Sequence, residues 1–135
     1  MPPLRILRLV FYAWASPTTF VGLTAGALTL LTGGRAQPRQ GVLEFHGGFA
    51  RWWLERTTVG ASAMTLGHVI IGRDVECLDF CRDHEQVHVR QAEEWGFLFI
   101  PAYLVASLWE ASRGRHYYLD NWFERDARRR CGEPL

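Results

Sequence analysis

The chain contains no lysine and only three cysteines in its 135 residues. All 15 basic residues are arginines, and 14 acidic residues balance them to a net charge of +1. A charge so close to neutral provides little attraction for nucleic acid, so we expect no nucleic-acid partner. Three cysteines cannot form the disulfide framework of a small secreted protein. The sequence also has no 20–50-residue repeat and no low-complexity run, which argues against a solenoid and a disordered tail.

The composition is that of a folded protein, with 48% hydrophobic and 21% charged residues. At this length we expect one core of modest size. The first half predicts an apolar helix, a loop and then strands. The helix covers about Leu4–Leu31 with a break near Ser16-Pro17. The loop is marked by Gly33-Gly34 and Gln37-Pro38. The strands lie within Gly41–Gly72. The strands include one beginning at Val42, a segment within Phe49–Thr58, and Met64–Ile71 as the clearest.

The second half predicts three helices. Asp74 is a suitable N-cap for a helix that runs to Trp95 and stops at Gly96. An uncharged helix follows over Phe97–Trp109, and the last helix starts at Asp120 or Asn121 and runs to about Arg130. We therefore expect an α+β fold with a short antiparallel sheet. Residues 1–40 form an N-terminal apolar helical segment and loop, and residues 41–135 form the domain that carries the chemistry.

An uncharged stretch from Leu9 to Gly34 is long enough to cross a bilayer, which needs about 20 apolar residues. Serine, threonine and proline dilute its hydrophobicity, and the arginines at both ends give no preferred orientation. Two interpretations stay open, namely a membrane contact through residues 9–34 and a buried or interfacial helix. The expected location is accordingly cytoplasmic or membrane-associated, and the sequence leaves the oligomeric state undetermined.

The residues His84-Glu85-Gln86-Val87-His88 form an HExxH pattern within the predicted Asp74–Trp95 helix. Residues four apart share a helix face, so the imidazoles of His84 and His88 can reach one metal ion together. Glu85 points to the side, where its carboxylate can reach a water molecule without binding the metal. Two neutral nitrogen ligands with a carboxylate base beside them are typical of metal-dependent hydrolases.

A catalytic zinc requires a third protein ligand. Glu93 and Glu94 follow His88 on the same straight helix and cannot bend back to the ion. Glu124 lies on a separate predicted helix, far enough along the chain to return. The pattern Asn121-x-x-Glu124 is also a capping box, in which the glutamate serves the helix end; both roles of Glu124 stay open here.

HExxH followed by a glutamate on a later helix resembles the gluzincin branch of the zincin metallopeptidases. The segment Asn121–Ala127 is similar to the NxxExxA glutamate helix of small members of that branch. Thr65-Leu66-Gly67-His68 and an HExxHxxQ pattern ending at Gln91 add a likeness to a group of small bacterial zincin-like proteins. The resemblance covers about Met64–Arg128 and implies a minimal zincin-like domain with an active-site helix, a linker helix and a glutamate helix.

The resemblance implies that His84, His88 and Glu124 bind Zn²⁺ and that Glu85 is the general base. Tyr117 and Tyr118 precede the glutamate helix together with His116, and we expect the two tyrosines to act in catalysis by supplying a proton or a hydrogen bond to an oxyanion. Gln91 and Asn121 are candidates for orienting the ligands. Four ligands spread over Cys77–His88 cannot meet one ion, so we interpret Cys77 and Cys81 as buried apolar residues.

The predicted function is a zinc-dependent hydrolase, namely a metallopeptidase that cleaves a peptide or protein substrate. In the alternative, the chain is a non-catalytic zinc-binding or membrane-associated structural domain. Glu85 discriminates the two, because hydrolysis requires its carboxylate and metal binding does not.

Overall fold

The structure is a computed structural model that describes residues 2–134, with side chains from Arg5 onward; Met1 and Leu135 lie outside this range. The elements in chain order are α1 Pro2–Leu31, β1 Arg35–Arg39, β2 Val42–His46, α2 Gly48–Glu55, β3 Ala63–Leu66, β4 Val69–Gly72, α3 Val75–Trp95, a 3₁₀ turn Gly96–Leu98, α4 Phe99–Ser112 and α5 Trp122–Cys131. The predicted α+β class, with an N-terminal apolar helix, is confirmed.

The sheet is mixed, so the prediction of a purely antiparallel sheet was wrong. Its strand order is β1-β2-β4-β3, in which β2 and β4 are parallel and the two outer pairs are antiparallel. The chain leaves β2, passes through α2 and enters the sheet edge at β3. It then turns back and inserts β4 beside β2. Nothing in the strand patterns themselves specifies this crossover.

The segment Met64–Ile71 forms a hairpin instead of the single strand that we predicted. Its turn consists of Gly67 and His68, with Gly67 at φ +66°. Glycine at the first central position is what a two-residue type II′ turn requires. The period-two series Met64, Leu66, His68 and Ile70 continues through this turn, which explains why it predicted one strand.

Two other predictions are corrected. The predicted strand within Phe49–Thr58 is helix α2, whose buried Ala50 and Leu54 are spaced four residues apart. Its tryptophans favour strands only by propensity, which packing overrides. The predicted loop after α1 contains β1, joined to β2 by Gln40-Gly41, both at positive φ. Pro38 is tolerated because β1 lies at the sheet edge.

Helix α1 is continuous through Pro17, so the predicted break is absent. Proline removes the N–H that would bond to the carbonyl four residues earlier, that of Ala13. The Ser16 hydroxyl donates to this carbonyl at 2.7 Å and satisfies it. The helix is also long and apolar enough to cross a membrane.

The sheet lies between α3 on one face and the pair α1–α2 on the other. Val42, Ile70, Leu78 and Val89 form the core on the α3 side. On the opposite side, the core consists of Phe45, Ala50, Leu54, Val69 and Ile71. A third cluster joins α3, α4 and α5 through Ala92, Phe99 and Phe123.

Candidate metal centre

Helix α3 presents His84 and His88 on its inner face. The predicted bounds of this helix are confirmed, with the Asp74 side chain accepting from the Cys77 N–H at 2.7 Å and Gly96 at the C-cap. His88 is buried and His84 is partly buried. Their rings meet edge to face with centroids 4.9 Å apart, and the two Nε2 atoms are 3.2 Å apart. Both imidazoles therefore point one nitrogen at the same place.

Helix α5 brings the Glu124 carboxylate to this place. One of its oxygens lies 2.9 Å from Nε2 of His84, and Nε2 of His88 is 3.2 Å from the carboxylate. The helix starts at Asn121, whose side chain accepts from the Phe123 N–H at 2.9 Å. Asn121 also donates to Ser107 and to the Tyr103 carbonyl on α4. It thereby holds the start of α5 against α4.

The spacing of the three donor atoms suits a tetrahedral metal ion. Two ligand atoms on a tetrahedral zinc with bonds of about 2.1 Å are roughly 3.4 Å apart. The separations among His84, His88 and Glu124 are 2.9–3.2 Å, slightly shorter than this value. Two imidazoles and one carboxylate also form one of the ligand sets of catalytic zinc. These residues can hold a metal ion.

Glu85 lies beside the cluster with its carboxylate buried. The ligand atoms of His84, Glu85 and His88 lie within 4.8 Å of one another, so Glu85 is an alternative third ligand. Its carboxylate, however, accepts a short hydrogen bond from the Thr65 hydroxyl on β3. Glu124 is the one that contacts both imidazoles directly. The two carboxylates thus have different partners, Thr65 for Glu85 and the imidazoles for Glu124.

The charges of the cluster favour a cation. Burial by itself lowers the pKa of His88, but the hydrogen bond and the charge of Glu124 outweigh it and raise that pKa to about 9. Burial alone would raise the pKa of Glu124, yet the two histidines hold it well below its usual range. Burial raises the pKa of Glu85. The Glu124 carboxylate is thus paired with positive charge at the point where the imidazoles converge.

Each of the three side chains, His84, His88 and Glu124, contacts a further side chain through its second polar atom. Nδ1 of His88 lies 2.8 Å from Oε1 of Gln91, and the Gln91 amide donates to Asp126 and to the Phe123 carbonyl. Nδ1 of His84 lies 3.2 Å from Glu133. The Tyr103 hydroxyl donates to the second oxygen of Glu124 at 2.7 Å. Such partners orient metal ligands and raise their affinity for the ion.

Tyr117 and Tyr118, which the sequence predicted to act in catalysis, lie in different places. Tyr118 lines the same cavity as Glu85, His88 and Glu124, a space of about 220 Å³. Burial and the nearby carboxylates raise the pKa of its phenol, which keeps it a hydrogen-bond donor. The Tyr117 side chain instead bonds to Thr58 and lies in a neighbouring groove with Trp53 and Arg56. The structure therefore brings Tyr118, and not Tyr117, to the cluster.

The remaining candidate side chains have other partners. Glu93 pairs with His68 at 2.9 Å and Glu94 with Arg130 at 2.9 Å. The His116 ring accepts from the Tyr118 and Leu119 N–H groups and shapes the turn before α5. Cys81 packs against the α3-side core, and Cys77 is partly buried.

Tyr103, Thr65 and Glu133 contact the cluster and were missed by the sequence reasoning. Tyr103 had a usable signal, since it carries one of the few polar groups in the otherwise apolar α4. Thr65 lies between Met64 and Leu66 in a short strand and is indistinguishable there from a structural threonine. Glu133 lies beyond α5, where no helical periodicity relates it to His84.

Comparisons with protein-family models, with curated proteins and with solved structures gave no match to this chain. The gluzincin resemblance accordingly rests on the motifs alone.

Proposed function

We propose that the protein is a zinc-dependent peptidase with one metal ion held by His84, His88 and Glu124. The observation that carries this proposal is the convergence of two imidazole nitrogens and a carboxylate beside a second buried carboxylate, that of Glu85. A structural zinc site is normally closed by four protein ligands. Here there are three candidate ligands, of which His88 and Glu124 line a cavity together with Glu85, and this cavity leaves a position for substrate.

Zinc in this position supplies a Lewis acid that polarises a carbonyl group and lowers the pKa of water. The buried Glu85 carboxylate, with its raised pKa, accepts a proton from water and then donates it to the leaving amine nitrogen. Thr65 holds Glu85 in place from β3. Tyr118 would donate to an oxyanion, because it lines the cavity, whereas the Thr65 and Tyr103 hydroxyls in the same wall donate to Glu85 and Glu124.

Strand β3 supplies one wall for the substrate. All four of its residues, Ala63–Leu66, line the cavity together with Glu85 and His88. The strand lies at the sheet edge and pairs on one side with β4. An extended peptide that adds to its other side makes backbone hydrogen bonds along the edge. This geometry favours peptides over other zinc-hydrolase substrates.

The Glu85→Gln variant tests the proposal. We expect it to retain about one zinc per chain and to lose peptide hydrolysis by a factor of roughly 10²–10⁴, because only the proton acceptor is removed. Zinc is measured by elemental analysis, and activity by cleavage of a fluorogenic peptide library.

The matched variant Glu124→Gln should lose zinc and activity together, as should His84→Ala. Folded wild-type protein that refuses added zinc would refute the metal site. A zinc-loaded wild type that is no more active than Glu85→Gln would leave the non-catalytic zinc-binding domain as the function.

A further inference from the structure

Helix α1 has the reverse of the usual arrangement of side chains in a surface helix. Its buried stripe consists of small residues, namely Ala15, Thr18, Gly22, Gly26 and Thr29. A Cβ atom on Gly26 would lie 2.5 Å from the Phe45 ring, and one on Gly22 would lie 2.7 Å from Cβ of Val69. Small residues that allow close backbone approach are typical of helix packing inside membranes.

The outer faces of α1 carry the large apolar side chains. Those exposed on the helix are Ile6, Leu7, Leu9, Val10, Trp14, Phe20, Val21, Leu23, Leu28, Leu30 and Leu31, with Phe20 at 71%. Val21 and Leu30 are nine residues apart, which places them about 180° apart around the helix. The exposed apolar surface therefore covers about half of the circumference. A surface helix in water has its polar residues there.

The segment from the 3₁₀ turn through α4 continues this apolar surface. Trp14 of α1 packs edge to face against Phe97, which is itself half exposed. Helix α4 exposes Leu104, Val105, Leu108 and Trp109, with Leu108 at 70%. The one charged residue of α4, Glu110, is buried and lies 3.5 Å from Arg115.

We propose that the outer faces of α1 and α4 contact the hydrocarbon of a lipid bilayer. A second copy of the chain would cover one side of a helix, whereas the apolar residues of α1 extend around half of it. Lipid covers any such surface without requiring complementary shape. The lack of charge from Leu9 to Gly34, with arginines at both ends, suits a helix whose middle lies in hydrocarbon.

Helix α1 is also an integral part of the fold. The Thr19 hydroxyl accepts from the His68 N–H at 3.0 Å, which fixes the turn of the β3–β4 hairpin. The Tyr12 hydroxyl donates to the Gly41 carbonyl at 2.8 Å. The same helix thus contacts the sheet with its small residues and lipid with its large ones.

The proposed lipid-contacting surface reaches the candidate metal centre. Leu104 is 55% exposed on α4 and also lines the cavity that contains His88 and Glu124. Leu66, at the other wall of that cavity, lies against Gly22 of α1. The cavity therefore opens beside this surface.

Spin labels at single cysteines test the proposal in phospholipid vesicles. With the three native cysteines replaced by alanine, labels are placed at Phe20, Leu28 and Leu108, and control labels at the exposed Glu76 and Arg125. We expect the first three labels to show a several-fold higher ratio of oxygen to nickel-chelate collisions than the controls. None of these measurements requires zinc or catalysis, so the outcome is independent of the proposed peptidase function.

A second measurement uses the wild-type protein, so its result does not depend on whether the cysteine variants fold. Brominated phospholipids should quench tryptophan fluorescence of the unaltered protein, because Trp14 and Trp109 lie on the surface in question. The proposal would be overturned if the labels at Phe20, Leu28 and Leu108 had the same collision ratio as the water-exposed controls. An absence of quenching would also overturn it. If neither oxygen nor the nickel chelate collided with these labels, the surface would be covered by protein. That result would overturn the proposal in favour of a second copy or another protein partner.

Discussion

At the scale of single residues, the role of Glu124 is the point on which the site depends. The sequence allowed it to be either a metal ligand or the second half of a capping box. In the structure, Asn121 caps α5 with its side chain, while its own N–H donates to the Tyr118 carbonyl. The Glu124 carboxylate is turned to His84, His88 and Tyr103 and is only 3% exposed. The carboxylate therefore does not serve the helix cap, and it faces the point where the two imidazoles converge.

The hydrogen bond from Tyr103 to Glu124 predicts a measurable effect on metal affinity. We expect Tyr103→Phe to weaken zinc binding by about 10–100-fold, since the buried carboxylate loses the donor that orients it. Competition with a chelating dye measures this affinity. Tyr117→Phe is the matched control, because that hydroxyl bonds to Thr58 outside the cavity. Equal affinities of the two variants would argue against an orienting role for Tyr103.

At the scale of elements, glycines decide how closely α1 approaches the sheet. Alanine normally stabilises a helix relative to glycine, by about 1 kcal/mol. At Gly26 the added methyl group would collide with the buried ring of Phe45. At this position the close contact with Phe45 therefore outweighs the helix propensity of the residue.

We accordingly predict that Gly26→Ala destabilises the protein, by about 1–3 kcal/mol, as expected for an overpacked core. Thermal unfolding of the purified protein measures the change. Thr24→Ala is the control on the same turn, where the side chain is exposed and bonds to its own helix. If Gly26→Ala instead raised the melting temperature, the close packing of α1 on β2 would be wrong.

At the scale of the whole molecule, an ion pair joins α3 to the sheet beneath it. Glu44 of β2 is fully buried and accepts two hydrogen bonds from the Arg82 guanidinium, each of 2.9 Å. Gln37 of β1 donates to the same carboxylate at 2.9 Å. This ion pair helps to hold α3, the helix that carries both histidines, in its position over the sheet.

Arg82→Leu should therefore destabilise the fold strongly, by about 3–5 kcal/mol, because it leaves a buried carboxylate without its cation. Chemical denaturation monitored by circular dichroism gives the free energy of unfolding. The control is Arg90→Leu, an exposed arginine on the same helix, for which we expect a change within about 0.5 kcal/mol. If both variants changed the free energy of unfolding by a similarly small amount, the charge of Glu44 would not need Arg82 for its stabilisation.

The sequence by itself determined the features that rest on local physics. The α3 helix with its Asp74 cap and Gly96 stop was predictable because caps and periodicity act within a few residues of one another. The same locality places His84 and His88 on one helix face. The apolar character of α1 and the presence of an uncharged helix after Gly96 were equally readable from composition.

Only the tertiary structure decided what depends on contacts between distant segments. The parallel pairing of β2 with β4, the hairpin at Gly67-His68 and the strand β1 follow from which partners the folded chain offers. The approach of Glu124 to the histidines requires α5 to pack against both α3 and α4, and the same packing places Tyr103 on its second oxygen. A pattern along the chain records which residue types alternate. It does not record which surfaces meet, because long-range contacts are selected by the combined burial of all elements.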